Sequence, residues 1–226
     1  MVKRSYSQYC PVAEALDVVG ERWTLLIVRE LLSGPARFTD LERALPGIAP
    51  NLLSSRLREM EDGGLVARRQ LPPPAARTVY ELTDEGRSLD TVLRALGRWG
   101  IQRLGPPAES DDVTPGIAVR SGLMMYARGG RPERVYAVVV DEQPFTIRVA
   151  DGAVELRSGA PDDPDLTLVV TARHLLDARF AGARSRRDRP AGWRFTPASA
   201  ALVSEFLATF GLDDRSKAGL RPERLR

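Results

Sequence analysis

Along the first hundred residues, apolar positions recur at helical spacing, and glycine or proline interrupts them at short intervals. Val12, Ala15, Leu16 and Val19 form one helical stripe, which Gly20 ends. Trp23, Leu26, Ile27 and Val28, with Leu31 and Leu32 beyond, predict a second and more apolar helix that Gly34-Pro35 stops. Thr39-Asp40-Leu41-Glu42 has the spacing of a capping box, in which Thr39 accepts from a backbone N–H and Glu42 reaches back. It predicts a short helix carrying Leu41, Ala44 and Leu45, closed by Pro46-Gly47.

A further helix is expected from Pro50, because proline is tolerated at the first helical position. At about 100° per residue, Leu53, Leu57 and Met60 fall together and face a core. Asn51, Ser54, Ser55 and Arg58 fall on the opposite side, and Asp62-Gly63-Gly64 ends the helix. Leu65 to Leu71 and Thr78 to Leu82 predict two strands joined by a turn over Pro72–Arg77. Thr83 caps a long helix with apolar positions Leu89, Val92, Leu93, Leu96 and Trp99.

The second half alternates differently. Ile117–Tyr126 is expected to be helical. Val135–Val140, Phe145–Val149 and Val154–Leu156 read as an antiparallel meander turning at Asp141–Pro144 and Asp151-Gly152. The continuously apolar run Leu166–Val170 predicts a strand buried on both faces. Thr171 caps a helix through Leu175, Leu176 and Phe180, and Thr196-Pro197 caps another with Leu202, Val203, Phe206, Leu207 and Phe210 on its apolar side. The chain thus reads as α+β in two domains: residues 1–105, a Pro-rich linker over 106–112, residues 113–212, and a tail over 213–226 that lacks apolar periodicity.

Composition narrows the chemistry. A single cysteine, Cys10, excludes an intrachain disulfide, and a single histidine, His174, argues against a metal cage or a histidine-based catalytic triad. Neither a phosphate-binding glycine loop nor a paired-carboxylate motif is legible, so the chain is expected to be neither an enzyme nor a holder of a cofactor. No apolar run approaches the ~20 residues that span a bilayer, and the start lacks a signal-peptide core, which together predict a cytoplasmic protein without membrane contact. The net charge is +3 with a pI near 9.3, and all cations but Lys3 and Lys217 are arginines. Residues 1–105 hold 15 basic and 13 acidic side chains and residues 106–226 hold 18 and 17, so basicity matters only locally. The densest basic run is Arg184-Ser185-Arg186-Arg187-Asp188-Arg189.

Three helices, a fourth of recognition type, a two-stranded wing and a long closing helix make a winged helix-turn-helix. At Cys10-Pro11-Val12, Gly20–Ile27, Arg37–Leu41, Leu57–Val66 and Tyr80–Gly86 the chain resembles the HxlR family of bacterial transcriptional regulators, relatives of the MarR group. The resemblance spans roughly residues 6–104. It implies a homodimer on a pseudo-palindromic DNA operator, with each recognition helix in a major groove. Asn51, Ser54, Ser55 and Arg58 would then meet base edges. Arg68, Arg69 and Arg77 of the wing, with Thr39 at a helix start, would meet phosphates. Since Arg68 and Arg69 point to opposite faces of a strand, one of them at most is expected to face DNA. Ala49 departs from the usual serine or threonine cap, and the wing tip Pro72–Ala76 is short of charge. Some members of the family use a cysteine near Cys10 as a redox sensor; a packing role for this thiol stands beside that reading.

Phe145–Gly152, Pro164–Thr171 and Gly182 resemble a sterol carrier protein type-2-like domain, an α+β fold with an antiparallel-rich sheet around an apolar cavity. That resemblance implies a sensor for an apolar or amphipathic small molecule, lined by Met124, Met125, Phe145, Phe180, Trp193 and Phe206. The same six residues can equally fill a core. The alternative function is a lipid-binding or transfer protein that uses its N-terminal module only to dimerise.

Overall fold

The structure is a computed structural model that describes residues 5–72, 77–101, 103–105, 107–109, 111–127, 132–180 and 192–212. The wing tip over 73–76, the arginine run over 184–189, Gly182, the tail over 213–226 and the side chain of Phe180 lie outside the described residues. The chain divides into two compact units, residues 1–93 and 94–226.

The first unit contains helices α1 (Pro11–Val19), α2 (Thr24–Leu31), α3 (Phe38–Ala44) and α4 (Pro50–Asp62). Strands β1 (Val66–Gln70) and β2 (Thr78–Leu82) follow, and then the first half of α5 (Asp84–Ile101). β1 and β2 pair antiparallel with Arg68 opposite Tyr80 and Arg69 opposite Val79. Ala36 adds a two-hydrogen-bond bridge to Tyr80, which ties the α2–α3 connection to the wing. Ile27, Val28, Leu31, Leu41, Leu45, Leu53, Leu57 and Leu82 close the core.

Several joints differ from expectation. The cap of α3 is not the Thr39/Glu42 pair. The helix starts at Phe38, and the Asp40 carboxylate accepts from the Arg37 backbone N–H at 3.2 Å and from the Arg37 guanidinium at 2.7 Å. Asp40 is both closer in sequence to the cap and ion-paired to it, so it outcompetes the longer glutamate. Thr83 caps as expected: its hydroxyl accepts from Gly86 N at 3.1 Å and donates to the Gly64 carbonyl at 2.6 Å. Trp23 precedes α2 with φ at 82°, a left-handed conformation costly for a bulky side chain, and its half-buried ring packs on the core. The α1 stripe is only partly a core stripe, since Val19 is buried while Val12 and Leu16 are exposed.

In the second unit, α6 (Pro115–Gly122) and a 3-10 turn (Met124–Tyr126) replace the single helix expected over 117–126. The helix begins earlier because Thr114 accepts from Ile117 N at 3.3 Å with Pro115 next in line. Strands β3 (Arg134–Val140), β4 (Gln143–Ala150) and β5 (Ala153–Ser158) form the expected meander. The first turn is tighter than the expected Asp141–Pro144, with only Asp141 and Glu142 between the strands at φ of 45° and 68°. The second is Asp151-Gly152 as expected, at 50° and 75°, and both have the two-residue geometry that matches strand twist. β6 (Leu166–Val170) lies parallel to β3, and β7 (Arg194–Thr196), which hydropathy did not reveal, pairs antiparallel with β6. The sheet order is β5-β4-β3-β6-β7. β6 alternates between buried and half-buried positions instead of being buried throughout.

Helices α7 (Ala172–Phe180) and α8 (Ala200–Thr209) complete this unit. Thr171 caps α7, accepting from His174 N at 3.2 Å. Ser199, not Thr196, caps α8, because Thr196 is already committed to β7. Tyr136, Val138, Phe145, Ile147, Leu166 and Leu168 share a core with Phe206 and Phe210 of the α8 region. Arg179 staples three elements: Nε donates to Gly122 O at 2.6 Å, Nη2 to Phe210 O at 2.6 Å and Nη1 to Gly211 O at 3.2 Å. Helix C-termini present carbonyls that favour a cation there.

Gly86 on α5 is buried, and a Cβ there would run into the Leu65 carbonyl, which is backbone and cannot yield. Gly86→Ala is therefore expected to destabilise the first unit by about 1–3 kcal/mol. Gly100→Ala, on the same helix with open space around it, should be neutral or stabilising by up to ~1 kcal/mol. Urea unfolding of the full chain, followed by circular dichroism, compares the two.

Candidate nucleic-acid interface

The site begins with how α4 is made. Ala49 is its N-cap and gives no side-chain hydrogen bond, so Pro50, which has no N–H to satisfy, starts the helix instead. Leu53, Leu57 and Met60 are 0%, 1% and 3% exposed, which seats one side of the helix in the core. That burial presents the opposite side. Asn51 and Arg58 are exposed there and Ser54 and Ser55 half-buried, so all four expected base readers lie on or beside one face.

Their polar atoms are partly engaged. Asn51 Oδ1 accepts from Leu52 N at 2.9 Å. Arg58 Nε lies 3.4 Å from the Ser54 carbonyl, which lays the guanidinium back along the helix. Ser55 Oγ donates to Glu59 Oε1 at 3.1 Å. Beside them stands a residue absent from the sequence-based set: Arg56 is 9% exposed, donates to Glu59 Oε2, and lies 3.4 Å from Glu21 Oε2 in the α1–α2 connection. The i,i+3 step from Arg56 to Glu59 and the i,i+4 step from Ser55 to Glu59 are visible in sequence. The Glu21 contact, 35 residues away, is not.

On the wing, Arg68 and Arg69 are both exposed, but on opposite faces, as the alternation requires. Arg69 pairs with Glu81 at 3.2 Å, whereas Arg68 has no ion pair among the described residues. Arg77 is exposed at the start of the returning strand, and its carbonyl accepts from Leu71 N at 2.8 Å. Thr39 is exposed in the first turn of α3. Its neighbour Asp40 has its carboxyl held below the usual range, first by the hydrogen bond from the Arg37 side chain.

Cys10 is half-buried at the N-cap of α1 and its side chain makes no cap hydrogen bond. The residues expected to line a cavity in the second unit are placed differently from those expected to face DNA. Met124, Phe145, Trp193 and Phe206 are buried within one core, and Met125 is half-buried where Gly97 leaves it room. Trp193 Nε1 lies 3.3 Å from the His174 carbonyl. Phe206 meets Tyr136, Phe195 and Phe210 with ring centroids 5.1, 5.7 and 4.7 Å apart. Burial pushes the Tyr136 phenol up to about 12.

Residues 18–107 match the HxlR-like helix-turn-helix family model. The chain is 40% identical over 101 residues to the HTH-type transcriptional regulator YvaP of Bacillus subtilis, covering 44% of this chain and 94% of that protein. The chain belongs to the HxlR-like family of helix-turn-helix transcriptional regulators. The regulator YodB of the same organism is 35% identical over 98 residues, 43% of this chain and 88% of YodB. The HTH-type regulator Rv3095 of Mycobacterium tuberculosis is 40% identical over 133 residues, 54% of this chain and 84% of Rv3095. Among solved structures, the reduced form of YodB covers 45% of this chain and 100% of its own, at 33% identity and a TM-score of 0.39. The family match ends at residue 107, so most of the second unit of this HxlR-like regulator lies beyond it. No helix among its described residues is long and apolar enough to cross a membrane.

The Asp40–Arg37 pair gives this HxlR-like protein a testable acid-side weakness. A carboxylate held low in the folded state adds stability above its unfolded value of about 3.9, and that stability is lost as pH falls through the folded value. Asp40→Asn should lower the unfolding midpoint at neutral pH and flatten its decline on acidification. Thermal unfolding of both proteins between about pH 2 and pH 6 checks this.

Proposed function

We propose that this chain is a homodimeric, sequence-specific DNA-binding regulator whose base-reading surface is the outer face of α4. The observation that carries the proposal is the division of that helix: a fully buried apolar side, and opposite it Asn51, Ser54, Ser55 and Arg58 with short polar side chains near the N-terminus. An α-helix fits the major groove of B-DNA, and side chains of this size let it approach base edges. Arg68, Arg77 and Thr39 supply phosphate contacts, which set register without reading sequence. Arg69 contributes less, because Glu81 already neutralises it. In this reading residues 1–105 bind DNA and dimerise, and 106–112 join them to a ligand-binding domain over 113–212.

Dimerisation is supported by apolar surface that the monomer leaves in water. On α1, Val12 and Leu16 are 66% and 43% exposed; on α5, Val92, Leu96 and Trp99 are 48%, 47% and 57% exposed at i, i+4 and i+7. Stripes of this kind mark association surfaces. A two-fold dimer places two recognition helices about 34 Å apart on a pseudo-palindromic operator. Leu96→Glu is expected to shift the protein from dimer to monomer in sedimentation equilibrium and to weaken operator binding with it.

The second unit is, in this reading, a sterol-carrier-like sensor of an apolar or amphipathic small molecule. Its support is a sheet covered by helices over a core dominated by Tyr136, Phe145, Trp193, Phe195, Phe206 and Phe210. Ligand entry displaces rings that now pack on one another. Such a ligand regulates only if its affinity differs between DNA-competent and incompetent states.

The test of the DNA reading is fluorescence anisotropy on the fragment upstream of the protein's own gene, against scrambled DNA at one stated salt concentration. A preference of about a hundredfold or more supports the proposal. Arg58→Ala should cost about 1–3 kcal/mol of specific binding and much less of non-specific binding. Unchanged operator affinity would remove Arg58 from the reading face.

A further inference from the structure

On α4, the base-facing side and the core-facing side are joined by a chain of polar contacts. With Asn51 set at zero on the helix circumference, Ser55 stands at about 40°, Glu59 at about 80° and Arg56 at about 140°. The core residues Met60, Leu53 and Leu57 follow at about 180–240°. Along this arc, Ser55 Oγ donates to Glu59 Oε1 at 3.1 Å, Glu59 Oε2 accepts from Arg56 Nη1, and Arg56 Nη2 reaches Glu21 Oε2 at 3.4 Å. The Arg56 side chain is 11% exposed, while Glu59 and Glu21 are 43% and 49% exposed. The buried cation is the fixed point and holds the Glu59 carboxylate against the helix.

A serine hydroxyl has one proton and two lone pairs, and an ionised carboxylate can only accept. The proton of Ser55 is therefore spent on Glu59, and what the hydroxyl offers outward is lone pairs alone. In the major groove, adenine N6 and cytosine N4 are the amine donors, whereas N7, O6 and O4 are acceptors. Serine by itself suits either kind of group. A serine whose proton is held does not. The contact also strengthens when a docked duplex excludes water from it, since a lower local dielectric favours a charge-assisted hydrogen bond.

We propose that Ser55 is an acceptor-only base reader, made so by Glu59 and Arg56, and that it selects an exocyclic amine of adenine or cytosine in the operator. This rests on the DNA-binding reading above. Glu59 has a second effect in the same arrangement: its charge lies near the phosphates and lowers affinity for any duplex, so its role is discrimination at the expense of strength.

The experiment uses the full chain and selection of bound duplexes from random DNA, with wild type and Ser55→Ala side by side. Ser55→Ala is expected to make one position per half-site indifferent while the rest of the preferred sequence stays. At that position the amine is then deleted, using purine for adenine or pyrimidin-2-one for cytosine. Wild-type affinity should fall about three- to tenfold, the range for one hydrogen bond, to the level of Ser55→Ala. Replacing the purine N7 at the same base pair by carbon should leave affinity unchanged. In Glu59→Ala, affinity for all duplexes should rise and the distinction between amine deletion and N7 deletion should be lost.

A harmless amine deletion, or a loss on N7 deletion instead, overturns the proposal, because the hydroxyl would then be donating. An unchanged preference in Ser55→Ala also overturns it while leaving the regulator reading intact. Wild-type protein that selects no sequence at all overturns the regulator reading itself, and this inference with it.

Discussion

A helix seated by a single apolar stripe is held in place but can still roll about its axis, and a roll of α4 would re-aim every side chain it shows to a partner. Leu53, Leu57 and Met60 set the depth of the helix, and the guanidinium of Arg56, which reaches Glu21 outside the helix, restrains its roll. Burying a cation is costly in itself, and the carboxylates of Glu59 and Glu21, 43% and 49% exposed, offset that cost only in part because water screens them. A hydrophobic residue at this place would pack without that cost, but it would tolerate several angles. The contact with Glu21 favours one angle of the helix, and with it the direction in which the outer side chains of α4 point.

The same economy of arginine operates in the second unit. There, Arg179 gathers the ends of α6 and α8 by donating to three carbonyls while stacking over the Tyr126 ring at 3.8 Å. Arg134 does likewise for β3 and α8, with Nε 3.0 Å from a Glu205 oxygen close to the Tyr136 phenol. Its desolvated surroundings keep that phenol protonated far above neutral pH. A planar guanidinium with five donors can satisfy several buried acceptors at once, which a lysine ammonium cannot do in the same fork geometry. An arginine-rich chain of near-neutral net charge thus uses arginine inside the molecule as well as on its surface.

What could be read in the sequence was whatever depends on periodicity and turn chemistry. The stripe of α4, the start at Pro50, the stop at Gly63-Gly64, both wing strands and the Thr83 cap follow from local rules and are present. The misreadings arise where two local rules competed or where a partner lies far along the chain. Asp40 and Glu42 both offered a capping carboxylate, and the nearby Arg37 decided between them. Thr196-Pro197 carried a helix-start signal, but pairing of β7 with β6 claimed Thr196 first. Arg56 shows in sequence as an ordinary helical arginine with an i,i+3 glutamate, because its burial and its contact with Glu21, 35 residues earlier, arise only in the folded chain.

The long helix shows how a stripe can be legible while its purpose is not. At about 100° per residue, Trp99, Val92, Leu96, Leu89 and Leu93 occupy an arc of roughly 120°. A helix laid on a single core needs an apolar arc of about 100°, and periodicity alone treats all five residues as one face. The structure separates them: Leu89 and Leu93 at one edge pack on the first unit's core, and Val92, Leu96 and Trp99 at the other remain exposed. One edge of the arc is therefore satisfied by the chain's own fold and the other is not. Only the three-dimensional packing, by using up one edge, shows that the remainder is apolar surface the chain's own core does not cover.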